Sequence, residues 1–196
     1  MLESILRVSK RLLIIGLLHL PACAVHAEPV ERFTTTYYDV TGHTAEEIRR
    51  DMDWQSPFRV FGKNYVAETH WRIDWQYSSR EIKNACVIES VQVDMYITVT
   101  LPRLRNASEV APVVLARWRQ YTRAVREHEH GHTEIARHAA RELEQTLLEL
   151  PPQENCFALR GLARRAAERV IEKYAEIDKE YDRETAHGSK TGSVFP

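Results

Sequence analysis

The sequence predicts an α+β fold in which an antiparallel sheet packs against one long helix and a second, C-terminal helix. The hydrophobic pattern of residues 67–77 and 86–101 has a period of two, whereas the pattern after residue 108 has a period of three to four. Hydrophobic residues make up 43% and charged residues 28% of the 196 residues, which is typical of a globular protein. The formal net charge of −1 gives no indication of nucleic acid or an anionic membrane as a partner.

Three segments in the first half of the chain have the pattern of β-strands. Residues 33–40 are rich in β-branched and aromatic side chains. Residues 67–77 and 86–101 alternate between apolar and polar side chains, which predicts two half-buried strands joined as an antiparallel hairpin around residues 78–84. Pro102 is expected to end the second strand of this hairpin. Its inward positions are predicted to be Val87, Val91, Val93, Met95, Ile97, Val99 and Leu101.

Helical patterns account for most of the remaining chain. Thr44 and Glu47 form a capping-box sequence, which predicts a short helix over residues 45–52. Apolar side chains recur every three or four positions over residues 108–150, which predicts a long helix with one buried face. The same period predicts a last helix over residues 158–181.

Residues 1–27 have the pattern of a signal peptide. Basic residues precede an apolar run at residues 12–18, and Val-His-Ala at residues 25–27 fits a cleavage site. The apolar run is shorter than the roughly 20 residues that a bilayer span requires. We therefore expect an exported, periplasmic or extracellular protein whose mature chain, residues 28–196, is one domain without a membrane span. The alternatives are an uncleaved anchor and lipid attachment at Cys23.

Two cysteines, Cys86 and Cys156, remain once the signal peptide is removed. An even pair in an exported chain predicts one disulfide, which would tie the strand region to the beginning of the last helix. Free thiols and zinc ligation are the alternatives, although neither cysteine belongs to a Cys-x-x-Cys pair.

The long helix carries the sequence His-Glu-His-Gly-His at residues 128–132, which matches the pattern His-Glu-x-x-His. Residues four apart lie on one face of a helix, so His128 and His132 can both bind one metal ion. Glu129 beside the first histidine is then placed to act as general base on a metal-bound water. Both histidines also take positions of the apolar stripe, so we expect them to face inward.

This pattern predicts a zinc-dependent metallopeptidase with Zn²⁺ as its cofactor and a peptide or protein as its substrate. Two other functions fit the same residues: a zinc amide or ester hydrolase, and a non-catalytic zinc-binding exported protein. A further alternative is a helix whose histidines bond to buried acids and hold no metal.

A catalytic zinc usually has three protein ligands. The residue pattern alone leaves the identity of the third ligand undecided. His138 would lie about 15 Å along an unbroken helix from His128, which argues against it. His187 is another candidate, because Gly188 can turn the chain there and leave His187 free to reach the histidine pair. The last helix also offers the carboxylates of Glu168, Glu172, Glu176 and Asp178.

The chain ends with a second motif, Tyr-Asp-x-x-Thr-x-His-Gly at residues 181–188. With the export signal, the β-rich first half and the helix motif, it resembles a bacterial family of predicted secreted zinc-dependent proteases. The resemblance covers nearly all of the mature chain and implies a zincin-like domain. It implies that His128, His132 and His187 hold the zinc and that Glu129 is the base. The family has Gln-Gly shortly after that last histidine, where this chain has Thr-Gly.

Overall fold

The computed structural model describes residues 28–60 and 63–195. Within these ranges the chain forms a sheet, a long helix and a C-terminal helix, which confirms the α+β prediction. The predicted signal peptide and Cys23 lie outside the described residues. No helix in the described ranges combines the length and apolarity that a bilayer crossing requires.

The strands and helices follow one another along the chain in nearly the predicted order. They are β1 (Val30–Val40), α1 (Ala45–Gln55), β2 (Phe58–Val60), β3 (Lys63–Tyr65), β4 (Glu68–Ile82), β5 (Ala85–Leu104), α2 (Pro112–Leu148) and α3 (Cys156–Thr185). The capping box of α1 is present, with the Thr44 hydroxyl accepting from the Glu47 amide. The last helix begins two residues before the predicted start and extends four residues beyond the predicted end. The extension at its end affects the site described below.

The main sheet has the strand order β1-β5-β4. β4 and β5 form the predicted antiparallel hairpin, whose two-residue turn at Lys83 and Asn84 has φ of 48° and 65°. These left-handed residues give the turn geometry that suits a tight hairpin. β1 pairs with β5 in parallel, a pairing that the alternation did not predict. The prediction that Pro102 ends β5 was wrong: beyond Thr100 the strand pairs with β1 alone, and proline is tolerated where one side of a strand is unpaired.

A bulge in the hairpin changes which side chains of β5 face the core. Ser78 pairs with Ser90 and Ser79 with Ile88, so Glu89 is an extra residue in β5. After the bulge the inward positions are those predicted. Before it, Cys86 is fully buried, and Val87, which was predicted to face inward, is only partly buried.

The helices α2 and α3 pack on one face of the sheet. Their contact with it forms a single apolar cluster that includes Val93, Ile97, Trp118, Val125, Leu143, Leu147 and Val170. The predicted disulfide is present, because Cys86 in β5 and Cys156 at the start of α3 are bonded at 2.04 Å. Asn155 caps α3 by accepting the Ala158 amide at 2.8 Å. The disulfide therefore fixes the start of α3 against the sheet.

Candidate metal centre

The predicted metal motif lies in the middle of α2, on the side that faces α3. Because α2 is unbroken through the motif, His128 and His132 lie one turn apart, and each is only 6% exposed. The prediction that both histidines face inward is confirmed. α3 passes close to α2 here, because Gly131 has no side chain: a Cβ at Gly131 would clash with the Tyr181 hydroxyl. The Tyr181 ring stacks on His128 with the ring centroids 5.1 Å apart.

Three side-chain atoms from these two helices converge at one point. The Nε2 atoms of His128 and His132 are 3.3 Å apart, and each lies 3.2 Å from Oδ1 of Asp182. Among the described residues, His128, His132 and Asp182 form a group that could hold a metal ion, with one ligand atom from each lying within 4.8 Å of the other two. Two imidazole nitrogens and one carboxylate oxygen are a ligand set that catalytic zinc uses.

The size of this triangle fits a zinc ion. Tetrahedral zinc holds nitrogen and oxygen ligands at about 2.0–2.2 Å, which places neighbouring ligand atoms about 3.3 Å apart. Hydrogen bonds alone account for the contacts less well. Each imidazole Nε2 carries at most one proton, so the three short contacts among His128, His132 and Asp182 cannot all be hydrogen bonds. A cation among the three atoms would satisfy all of them at once.

Second partners orient the groups of this centre. Nδ1 of His132 lies 2.8 Å from Oδ1 of Asp178, one turn before Asp182 on α3. A carboxylate on the far nitrogen of a metal-binding histidine fixes the tautomer in which the other nitrogen is free for the metal. On the side of α2 that faces the sheet, Glu129 is buried and its Oε2 accepts a hydrogen bond of 2.7 Å from the Thr69 hydroxyl on β4. The sheet therefore holds the predicted base beside the histidines.

The electrostatics of the centre reflect its burial and its charges. Burial alone would lower the pKa of His132, but its hydrogen bonds to Asp178 and Asp182, and their charges, raise that pKa to about 10. Burial would raise the pKa of Asp182, but hydrogen bonds with His128 and His132 hold it well below its usual range. Burial raises the pKa of Glu129, opposed by the Thr69 hydrogen bond. Metal binding would therefore displace a proton from the histidine cluster.

His187, the predicted third ligand, lies at the edge of this centre. Its Nδ1 is 3.2 Å from the same Asp182 oxygen, but His187 is outside the group whose atoms lie within 4.8 Å of one another. Its side chain is 48% exposed, and its ring meets Tyr65 edge-on with the centroids 4.8 Å apart. His187 and Ala186 have φ of 52° and 48°, a left-handed pair that turns the chain after α3. His187 thus contacts the carboxylate rather than completing the triangle.

The other candidate ligands lie elsewhere or serve a different part of the centre. His138 is exposed and lies 3.4 Å from an Arg141 nitrogen. Glu168 and Glu176 are exposed and pair with basic side chains of their own helix, and Glu172 is exposed as well. Asp178 contacts His132 on the nitrogen that faces away from the triangle. Of these carboxylates, only Asp178 is therefore part of the site.

Asp182 is the residue that the sequence-based prediction missed. The last helix was predicted to end at residue 181, whereas α3 continues to Thr185 and carries Asp182 one turn beyond Asp178. The signal was available, because Asp178, Tyr181, Asp182 and Thr185 have the i, i+3, i+4, i+7 spacing of one helix face.

A cavity of about 320 Å³ opens onto these groups. The triangle of ligand atoms and Glu129 line it, together with the segment that leads into β4 and the chain after α3. The lining residues are Phe58, Tyr65, Val66, Ala67, Glu68, Thr69, Val125, His128, Glu129, His132, Asp178, Asp182, His187 and Ser193. His128, His132, Asp182 and Glu129 therefore all border one cavity.

Comparison with known proteins gives one match. A sequence profile described as "Bacterial protein of unknown function (DUF922)" matches residues 35–188, which include the helix motif and the whole tail motif. No curated protein and no solved structure gives a match. The profile's description names no activity, so the geometry of the site carries the functional argument.

Proposed function

We propose that this chain, which belongs to the bacterial family DUF922, is an exported zinc-dependent metallopeptidase that hydrolyses peptide bonds with a zinc-activated water. In this proposal His128, His132 and Asp182 hold the zinc and Glu129 is the general base. The observation that carries it is the 3.2–3.3 Å triangle of two imidazole nitrogens and one carboxylate oxygen beside a buried glutamate, at the wall of an open cavity.

Each residue of the site has a role in this chemistry. His128, His132 and Asp182 would hold zinc, which when bound would lower the pKa of a water at the site to about 7. Glu129 would accept a proton from that water as its oxygen bonds to the carbonyl carbon, and would deliver the proton to the leaving nitrogen as the C–N bond breaks. Thr69 holds one Glu129 oxygen, which leaves the other available for this transfer. Burial raises the pKa of Glu129, and a raised pKa makes its carboxylate a stronger base.

The position of β4 supports a peptide substrate over a small amide or ester. β4 is an edge strand of the main sheet, and its first residues, Glu68 and Thr69, line the cavity. An extended peptide can add to such an edge through main-chain hydrogen bonds, and this would bring a peptide bond past Glu129. A small amide or ester would use the same water without needing the strand.

Export is supported by two independent features. The signal-peptide pattern of residues 1–27 predicts it. The Cys86–Cys156 disulfide fits an oxidising compartment such as the periplasm or the extracellular space.

One observation favours a second candidate function, a non-catalytic zinc site. His187 Nδ1 lies 3.2 Å from Asp182 Oδ1, so a modest movement of His187 could supply a fourth protein ligand. Four protein ligands are typical of structural zinc and would leave no position for water. The two candidates differ in whether the loaded protein turns over a substrate.

The first experiment measures the metal content of purified protein by elemental analysis. We expect about one zinc per chain in wild type, a loss in Asp182→Asn, and wild-type content in His187→Ala and in the exposed control His138→Ala. Loss in His187→Ala with retention in Asp182→Asn would instead make His187 the third ligand. Iron in place of zinc, or no metal after dialysis against zinc, would overturn the proposal.

The second experiment separates the enzyme from the non-catalytic site. Zinc-loaded wild type and Glu129→Gln are compared for hydrolysis of fluorescently labelled, unfolded casein. Glutamine keeps the shape of the side chain but cannot accept the proton, so we expect full zinc content and loss of turnover. Equal turnover by both proteins would refute the role of Glu129. No turnover by either would favour the non-catalytic site.

A further inference from the structure

Two buried side-chain atoms lack a hydrogen-bond partner within residues 28–60 and 63–195, and both lie at the metal centre. They are Nδ1 of His128 and Oγ of Ser193. Buried polar groups in native proteins nearly always have partners, so an unpaired group calls for an explanation. Two such groups next to each other suggest that each is the partner of the other.

His128 needs a partner on Nδ1 in the metal-bound state. Its Nε2 faces His132 and Asp182, so Nε2 is the atom that would bind the metal. A neutral imidazole that binds metal through Nε2 carries its proton on Nδ1, and that proton requires an acceptor. For His132 this acceptor is Asp178 at 2.8 Å. Nδ1 of His128 has no equivalent partner among the described residues. α3 contacts His128 through Asp182, and that contact is at Nε2.

Ser193 reaches His128 because the chain turns back at Gly188. Gly188 has φ of 78°, and its carbonyl accepts the Ser193 amide at 3.0 Å, which closes a short loop. A Cβ on Gly188 would lie 2.7 Å from Ser193 Oγ and 3.0 Å from Cγ of His128, the atom bonded to Nδ1. The hydroxyl and the imidazole edge therefore flank the same point, where only glycine leaves the space open.

The segment that carries Ser193 is anchored in the core. Phe195, two residues later, is 3% exposed, and its ring centroid lies 5.5 Å from that of Trp118 and 5.2 Å from that of Tyr121. Both aromatic residues belong to α2, the helix that carries His128. The tail, residues 188–195, thus crosses the metal centre and is fixed to the same helix as the motif.

We propose that Ser193 is a positioning residue of the metal centre, whose hydroxyl hydrogen-bonds to Nδ1 of His128 directly or through one water. A hydroxyl both donates and accepts, so it can accept from Nδ1–H when Nε2 binds metal and donate to Nδ1 when Nε2 carries a proton. The tail thereby orients one of the two histidine ligands. Ser193 lies beyond residues 35–188, the range that the family profile matches. This inference rests on the proposed zinc function.

The test in the zinc-loaded protein is the zinc affinity of full-length variants, measured by competition with a chromophoric chelator. Loss of a second partner of a metal ligand typically weakens binding on the order of 10–100-fold, and we expect this for Ser193→Ala. Ser189→Ala is the matched control, because Ser189 is an exposed serine of the same tail whose hydroxyl donates to the Ala186 carbonyl. Ser193→Thr keeps the hydroxyl and should restore an affinity close to wild type. Wild-type affinity in Ser193→Ala would overturn the inference.

A second measurement keeps the inference testable if the protein binds no zinc. The ¹⁵N chemical shift of His128 Nδ1 is recorded for metal-free wild type, Ser193→Ala and Ser189→Ala. We expect the shift to change in Ser193→Ala alone, because that substitution removes the hydrogen-bond partner of this nitrogen. An unchanged shift would refute the role of Ser193, whereas absence of zinc binding in wild type would refute only the proposed function.

Discussion

The two ends of the α2–α3 pair differ in what holds the helices together. Near the connection between them, Leu143, Leu147, Leu159 and Ala163 are fully buried, and the Cys86–Cys156 disulfide ties the start of α3 to the sheet. At the opposite end, α2 and α3 contact each other through imidazole rings and carboxylates in place of aliphatic side chains. His128 contacts Asp182, and His132 contacts Asp178.

This difference indicates that the apolar packing and the candidate metal site lie at separate ends of one scaffold. Aliphatic burial stabilises the folded chain by about 0.8 kcal/mol per buried methylene, without any ligand. Buried charged groups lose their hydration, and this loss is offset only when partners or a metal satisfy them. We therefore expect substitutions at the apolar end to change the free energy of unfolding, and substitutions at the polar end to change metal affinity.

The largest expected effect is loss of the disulfide. Cys86→Ala combined with Cys156→Ser removes a crosslink between residues 70 apart in sequence, which should lower the free energy of unfolding by about 4 kcal/mol. Urea denaturation measures this change, and reduced wild type should unfold at the same urea concentration as the double variant. The zinc affinity of the folded protein should be unchanged. A parallel fall in zinc affinity would show that the two ends are coupled.

A cavity at the apolar end should have the next largest effect. Leu143 is fully buried, so Leu143→Ala is expected to lower the free energy of unfolding by about 3 kcal/mol. Val113→Ala is the control, because Val113 on the same helix is 63% exposed and should change stability by less than about 0.5 kcal/mol. Equal effects of the two substitutions would contradict the assigned packing.

At the polar end, the expected change is in metal affinity. Asp178→Asn removes the charge that holds Nδ1 of His132, so zinc affinity should fall on the order of 10–100-fold, or about 1.4–2.8 kcal/mol. Glu176→Gln changes the same charge on the exposed side of α3 and should leave zinc affinity unchanged. If both variants bound zinc alike, the role of Asp178 would be limited to the metal-free protein.

The same two ends show what the sequence could and could not predict. The hairpin, the buried face of α2 and the inward histidines follow from periodicity, a local property that a single segment displays. The parallel pairing of β1 depends on contacts with a distant segment, and the bulge at Glu89 depends on the register between two strands; the pattern within one segment contains neither.

Asp182 shows the limit of apolar periodicity, although the polar spacing of residues 178, 181, 182 and 185 carried a signal. The sequence after residue 181, Asp-Arg-Glu-Thr, is polar and has no apolar stripe, so the periodicity indicated that the helix had ended. In the structure, the contacts of Tyr181 and Asp182 with α2 accompany another turn of helix, and the Thr185 hydroxyl donates to the Tyr181 carbonyl at 2.7 Å. Polar packing against a neighbouring helix took the place of the apolar contacts that periodicity detects.

The smallest expected effect comes from Glu142, which links the helices between their two ends. Its carboxylate accepts hydrogen bonds from Lys173 and Tyr174 on α3, and these hold the pKa of Glu142 below its usual value. A lowered folded-state pKa contributes stability that is present above the unfolded pKa of about 4.3 and is lost as pH falls through the folded value.

Because the Glu142 side chain is 36% exposed, we expect Glu142→Gln to lower the free energy of unfolding by less than about 1 kcal/mol at pH 7. Urea denaturation at pH 7 and at pH 3 should show this difference shrinking in acid, because wild type then loses the same charge. Glu168→Gln, which changes an ion pair within α3 alone, controls for the general effect of removing a negative charge. A difference that persisted undiminished in acid would mean that packing, rather than charge, links the helices at Glu142. The boundary between the apolar and polar ends would then lie nearer to the histidines.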